Sequence, residues 1–89
     1  MQLYLVHCGF YDEEILGGIY EFHVNIPIAA PSLETAKEQV RLDAAFRRHR
    51  MHIDGIQEVK CVAGHRIELR PDASGSGASE LPYHLHRDL

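Results

Sequence analysis

Ile19-Tyr20-Glu21-Phe22-His23-Val24-Asn25-Ile26-Pro27-Ile28 is the stretch that decides the fold. Successive side chains of an extended chain point to opposite faces, so Tyr20, Phe22, Val24 and Ile26 share one side and Glu21, His23 and Asn25 the other. A strand with this pattern lays one face on a core and leaves the other to water or chemistry. Pro27 has no backbone N–H and belongs at the strand's end or on a sheet edge. Upstream, Leu3 to Cys8 reads as a strand with two apolar faces, Leu3 and Leu5 on one and Tyr4, Val6 and Cys8 on the other. That is the pattern of a central strand. Between the two, Gly9 to Gly18 mixes glycines with acids and predicts a loop.

Downstream, Pro31-Ser32 opens a helix predicted over Leu33 to Arg48. Ser32 caps the free N–H groups, and Glu34 and Glu38 sit where the helix dipole favours acids. Leu33, Ala36, Val40 and Ala44 recur at helical spacing, widened by Leu42 and Phe46, while Lys37, Arg41 and Arg47 face outward. His52 to Val62 predicts a third strand with an irregularity at Gly55, because Ile53 and Ile56 cannot share a face of a regular strand. Ala63-Gly64 supplies a turn, and His65 to Leu69 returns as a fourth strand with Ile67 and Leu69 inward. The expected fold is α+β in the order β-β-α-β-β, a mostly antiparallel four-stranded sheet with one helix packed on one face. Residues 1–71 form this domain, 72–79 a Gly/Ser-rich linker, and 80–89 a flexible C-terminal tail. In the tail Leu81, Tyr83 and Leu85 alternate with Pro82, His84 and His86, as in a docking strand, against the plainer reading of a frayed end.

At 89 residues the chain is one small domain, too short for an enzyme with a separate cofactor lobe. Thirteen acidic against nine basic residues give a net charge of −4, unfavourable for coating a nucleic-acid backbone. No apolar run approaches the roughly 20 residues that span a bilayer. The chain starts in strand-like sequence rather than a secretory signal, so the cytoplasm is the expected location. Cys8 and Cys61 both fall in apolar alternating runs, where a reduced thiol behaves as a small buried hydrophobe.

Five motifs then acquire a meaning together: Gly9-Phe10-Tyr11-Asp12 after an apolar strand, Glu21-x-His23, Ala30-Pro31-Ser32 before a helix, His52-x-Asp54, and the Val62-Ala63-Gly64-His65 turn. In this order they resemble the bacterial domain of unknown function 1543 family, from about Leu3 to Arg70. Gly9, Tyr11, Asp12, Glu21, His23, His52 and Asp54 fill that family's places. Phe10 stands where the family usually has glycine, and Val24 stands where a polar residue is common. The resemblance implies no established activity. Many relatives resemble two such units in tandem, which implies that a single unit self-associates. One helix can also cover only one face of a four-stranded sheet, so a two-fold homodimer meeting through open faces or edges is expected.

Seven histidines are the chemical oddity of the composition. Glu21 with His23, and His52 with Asp54, are pairs at strand spacing, each on one face. If strands two and three approach, or meet across a dimer axis, the four converge into a His₂/carboxylate set able to hold zinc or another divalent ion. The competing reading is that His52 and Asp54 bond each other and the backbone to fix the start of strand three. His7 reads as a hydrogen-bonded residue at the core's edge, and His65, His84 and His86 as surface histidines.

Arg47, Arg48 and Arg50 form the one dense basic run, a candidate anion contact or a solvated helix end whose cations complement the dipole. A nucleophile is not evident: Ser32 is a cap, Ser74, Ser76 and Ser79 lie in the linker, and neither cysteine has a neighbouring cation. Strand three offers Gln57, Val59 and Cys61 rather than the interleaved basic and aromatic residues of an RNA platform. These features favour a non-enzymatic, homodimerising structural or interaction module without cofactor, membrane or nucleic-acid partner. The alternative is a metal- or small-ligand-binding domain, or a small acid/base hydrolase, built on Glu21, His23, His52 and Asp54, with His52 as base or ligand and Asp54 orienting it.

Overall fold

A computed structural model describes residues 1–73 of the chain. The fold is α+β, built on an antiparallel three-stranded sheet in the order β2-β1-β3. β1 (Gln2–Tyr11) lies in the centre, flanked by β2 (Glu21–Ala30) and β3 (His52–Glu58). Paired on both edges, β1 buries Tyr4, Val6 and Cys8 on one face, while Leu3 and Leu5 lie half-buried on the other. β1 runs three residues beyond the expected Cys8, through Gly9 and Phe10 to Tyr11. Cross-strand pairing carries it there: Phe10 faces Phe22 with ring centroids 5.6 Å apart, and Tyr11 faces Glu21. The loop expected from Gly9 therefore begins at Asp12, and it turns through a short 3₁₀ segment at Leu16–Gly18.

The single helix expected from Leu33 to Arg48 is two, α1 (Leu33–Val40) and α2 (Ala44–Arg48). Ser32 caps α1 as expected, its hydroxyl accepting from the Thr35 N–H at 3.2 Å. Asp43 makes the break. Its carboxylate accepts from the Ala45 and Phe46 N–H groups at 2.9 and 3.2 Å, starting a new helix where the apolar stripe alone predicts continuity. Leu42, placed in that stripe by spacing, is consequently exposed.

β3 carries the irregularity expected near Gly55. Cys8 opposes Ile53 and His7 opposes Gly55, so Asp54 is the extra residue of a bulge. The bulge lets Ile53 and Ile56 pack against the same core. The fourth strand does not join the sheet. β3 runs antiparallel to β1 with Glu58 opposite Tyr4 and Val59 N–H bonded to Leu3 O at 2.8 Å. The chain instead folds into a two-stranded hairpin, β4 (Cys61–Val62) and β5 (His65–Arg66), across the Ala63-Gly64 turn. Cys61 is exposed there rather than buried.

Both helices cover one face of the sheet. Val6, Cys8, Ala30, Ala36 and Val40 are fully buried between the layers, with Tyr4 and Met51 beside them and Phe10, Ile26, Ile28, Phe46, Ile53 and Ile56 packed around. Each buried side chain of Val size contributes about 1.5–3 kcal/mol. Tyr20 and Val24, assigned to this face by alternation, are exposed, because the helices cover the centre of the sheet better than its outer edge. No helix among the described residues is long and apolar enough to cross a membrane. Most of the expected 72–79 linker, and the whole 80–89 tail with its docking strand, lie outside the described residues.

Candidate functional site

Among the described residues, no helix lies on the opposite face of the sheet. The strand register sets His23 of β2, Gly9 of β1 and His52 of β3 side by side in one row. Glu21 stands two residues along β2 from His23, and the bulge residue Asp54 stands next to the row on β3. The centre of this group is the missing side chain of Gly9. A Cβ at Gly9 would lie 2.5 Å from Glu21 Oε1, 2.7 Å from His52 Nε2 and 2.8 Å from Asp54 Oδ2. A glycine in a central strand is otherwise unfavourable, and here it opens the space in which three side-chain tips meet.

His52 Nε2 lies 3.1 Å from Glu21 Oε1 and 3.1 Å from Asp54 Oδ1. His23 touches the same two carboxylates through both ring nitrogens, Nε2 at 3.4 Å from Glu21 Oε1 and Nδ1 at 3.2 Å from Asp54 Oδ2. Tyr11 donates its phenol proton to Glu21 Oε2 at 2.8 Å. His7 extends the group: its Nδ1 pairs with Asn25 Oδ1 at 2.9 Å, and its ring stacks on His23 with centroids 4.9 Å apart and planes 3° from parallel. The four residues singled out by spacing thus converge. His7 and Tyr11 join them, and the period of two carried past Cys8 along β1, through His7, Gly9 and Tyr11, is the signal that locates them.

The electrostatics are out of balance for neutral rings. A neutral imidazole has one N–H to give, yet both nitrogens of His23 face carboxylates, so one of them aims a lone pair at an oxygen. An extra proton or a cation removes the conflict. Tyr11's hydrogen bond holds the Glu21 carboxyl below its ordinary range, helped by the His52 hydrogen bond and the charges of both histidines and opposed by partial desolvation. The same bond, with Glu21's charge, pushes the Tyr11 phenol up. On the other face, burial pushes the Cys8 thiol up, with the charges of Asp54 and Asp43 adding to it.

The donor set fits a divalent ion. Zinc bonds of about 2.0–2.1 Å in a tetrahedron separate ligand atoms by about 3.3–3.4 Å. His52 Nε2 lies 3.1 Å from both Glu21 Oε1 and Asp54 Oδ1, close to that spacing, and the three residues offer ligand atoms within 4.8 Å of one another. His52 and His23 are 45% and 44% exposed, so the cluster is open to solvent.

Of the candidate anion contacts, Arg48 and Arg50 line an open cleft of about 390 Å³ with His49, Tyr11, Asp12 and Glu13, and Arg47 does not. The two acids in that cleft leave it mixed in charge rather than basic. A hollow of about 300 Å³ between the β4–β5 hairpin and the start of β1 shares no residue with the cluster. His65 bonds the Ala63 carbonyl through Nδ1 at 2.9 Å and belongs to its own turn. No protein-family model, curated protein or solved structure matches the chain.

Proposed function

We propose that the chain is a metal-binding domain whose open sheet face takes a divalent transition ion on Glu21 Oε1, His52 Nε2 and an Asp54 oxygen. The observation that supports this reading is the void at Gly9, into which one histidine and two carboxylates reach together. The mixed nitrogen and oxygen donors suit zinc, manganese or iron(II) rather than copper(I). Three protein ligands leave coordination positions open, as in sites that act on a bound molecule and unlike closed structural sites. Hydrolysis of a small substrate by metal-bound water is the chemistry such a centre serves.

Calorimetric titration of the untagged protein with Zn²⁺ and Mn²⁺ tests the reading. Binding at micromolar or lower concentration, lost in His52→Ala, supports it; no binding by a folded protein refutes it.

The homodimer expected from the sequence is a second proposal. Ile15, Leu16, Ile19 and Tyr20, all between β1 and β2, are 43–73% exposed, an apolar cluster of the kind that partners cover. Light scattering at micromolar concentration distinguishes the dimer mass from that of one chain. We also place the protein in the cytoplasm, a setting that keeps the free thiols Cys8 and Cys61 reduced.

A further inference from the structure

Asp54 faces two ways. Its Oδ1 lies 3.1 Å from His52 Nε2, in the group that includes Glu21, while its Oδ2 lies 3.2 Å from His23 Nδ1. On that second side His7, His23 and Asp54 each offer a ligand atom within 4.8 Å of the others, the same limit that Glu21, His52 and Asp54 satisfy on the first. We infer that the open face is a two-ion site in which Asp54 is the bridging carboxylate, one ion on Glu21 and His52 and the other on His7 and His23, each taking one Asp54 oxygen. The inference rests on the metal-binding reading and adds to it a stoichiometry, a bridge and a second set of ligands.

The sheet is shaped for this arrangement. His23, Gly9 and His52 form one row across the strands, and Asn25, His7 and Gly55 form the next that faces the same side. The bulge inserts Asp54 between these rows, so one carboxylate reaches both. Each row also contains a glycine on the open face. The missing Cβ of Gly9 makes room for the first group, and a Cβ at Gly55 would meet nothing within 4 Å, which leaves space beside His7.

His7 is prepared as a ligand. The Asn25 oxygen accepts the proton on Nδ1 at 2.9 Å, which leaves the Nε2 lone pair free, the outer-shell arrangement that orients metal-bound histidines. The near-parallel stacking of His7 on His23 holds both rings edge-on to the same region. Two dications against two carboxylates would leave a positive surplus, which hydroxide or another oxyanion between the ions would offset.

The test counts ions on the full, untagged chain. Because His84-x-His86 could hold an ion by itself, the count is made in wild type and in the double variant His84→Ala/His86→Ala. Two equivalents of Zn²⁺ in both, falling to one in His7→Ala, is the expected result. His7→Gln serves in its place if the alanine variant melts early. Mn²⁺ adds an independent readout: a spin-coupled spectrum at two equivalents, replaced by that of an isolated ion in His7→Ala or Asp54→Asn. One equivalent in wild type, two that survive loss of His7, a second ion lost with His84 and His86, or two uncoupled Mn²⁺ ions would each overturn the two-ion site. All of these leave the single-ion reading intact; zero equivalents would sink both.

Discussion

On the helix-covered face of the sheet Val6 and Cys8 are fully buried against Val40 and Met51, while the residues between and after them on the same strand, His7 and Gly9, belong to an open cluster of histidines and carboxylates. One strand therefore serves two purposes through its period of two. On the covered face a missing group leaves a cavity and weakens the fold. On the open face the missing side chain of Gly9 is what lets Glu21, His52 and Asp54 meet. The contrast teaches where stability and function should separate under mutation.

The largest effect should come from exchanging one face for the other. Val6→Ala leaves a void in the core and should lower stability by about 2 kcal/mol, a fall in melting temperature of about 10 °C, with ion binding kept while the protein is folded. His52→Ala should do the reverse, weakening ion affinity by about 100-fold or more while changing stability by less than about 0.5 kcal/mol. Thermal melts paired with calorimetry measure both quantities. If the two variants lose stability alike, the separation of the faces is wrong.

Gly9→Ala sharpens the comparison, because the three atoms nearest its Cβ would be the tips of the Glu21, His52 and Asp54 side chains. The tips should swing aside, leaving stability within about 0.5 kcal/mol of wild type. Ion affinity should fall by about tenfold or more, as for outer-shell changes. A loss of several kcal/mol would show that the open face is packed as rigidly as the core.

The two thiols make the same point with smaller consequences. Cys61 is exposed, and Cys8 is buried with a raised pKa, so a thiol reagent should modify Cys61 at once and Cys8 only as the protein unfolds. Equal rates would place Cys8 outside the core.

The smallest effects are those of pH on the exposed Tyr11–Glu21 pair. Glu21's folded pKa is lowered, so its contribution to stability is present above the ordinary 4.5 and is lost as pH falls through the lower folded value. Tyr11's folded pKa is raised, so its contribution is full below the ordinary 10.0 and is lost as pH rises through the higher folded value. Tyr11→Phe should flatten the alkaline slope and shrink the acid one in denaturation midpoints measured across pH.

Strand alternation made the wet face of β2 legible, and with it the pairing of Glu21-x-His23 with His52-x-Asp54, because a period of two is local. Three features were not. The helix breaks at Asp43 because a side-chain carboxylate outcompetes the stripe of Ala36, Val40 and Ala44 for the backbone N–H groups. β3 stops at Glu58 and the chain turns into the hairpin of Cys61–Val62 with His65–Arg66, a change of pairing partner that β3's own residues do not announce. Gly9 has the composition of a loop and becomes strand only through pairing with His23 and His52.

Imidazole nitrogen resonances followed with and without Zn²⁺ test the central claim most directly. The account predicts that Zn²⁺ moves the ring signals of His7, His23 and His52 and leaves those of His49 and His65 in place. Unmoved ring signals for His7, His23 and His52 in a protein whose amide spectrum remains folded would contradict it.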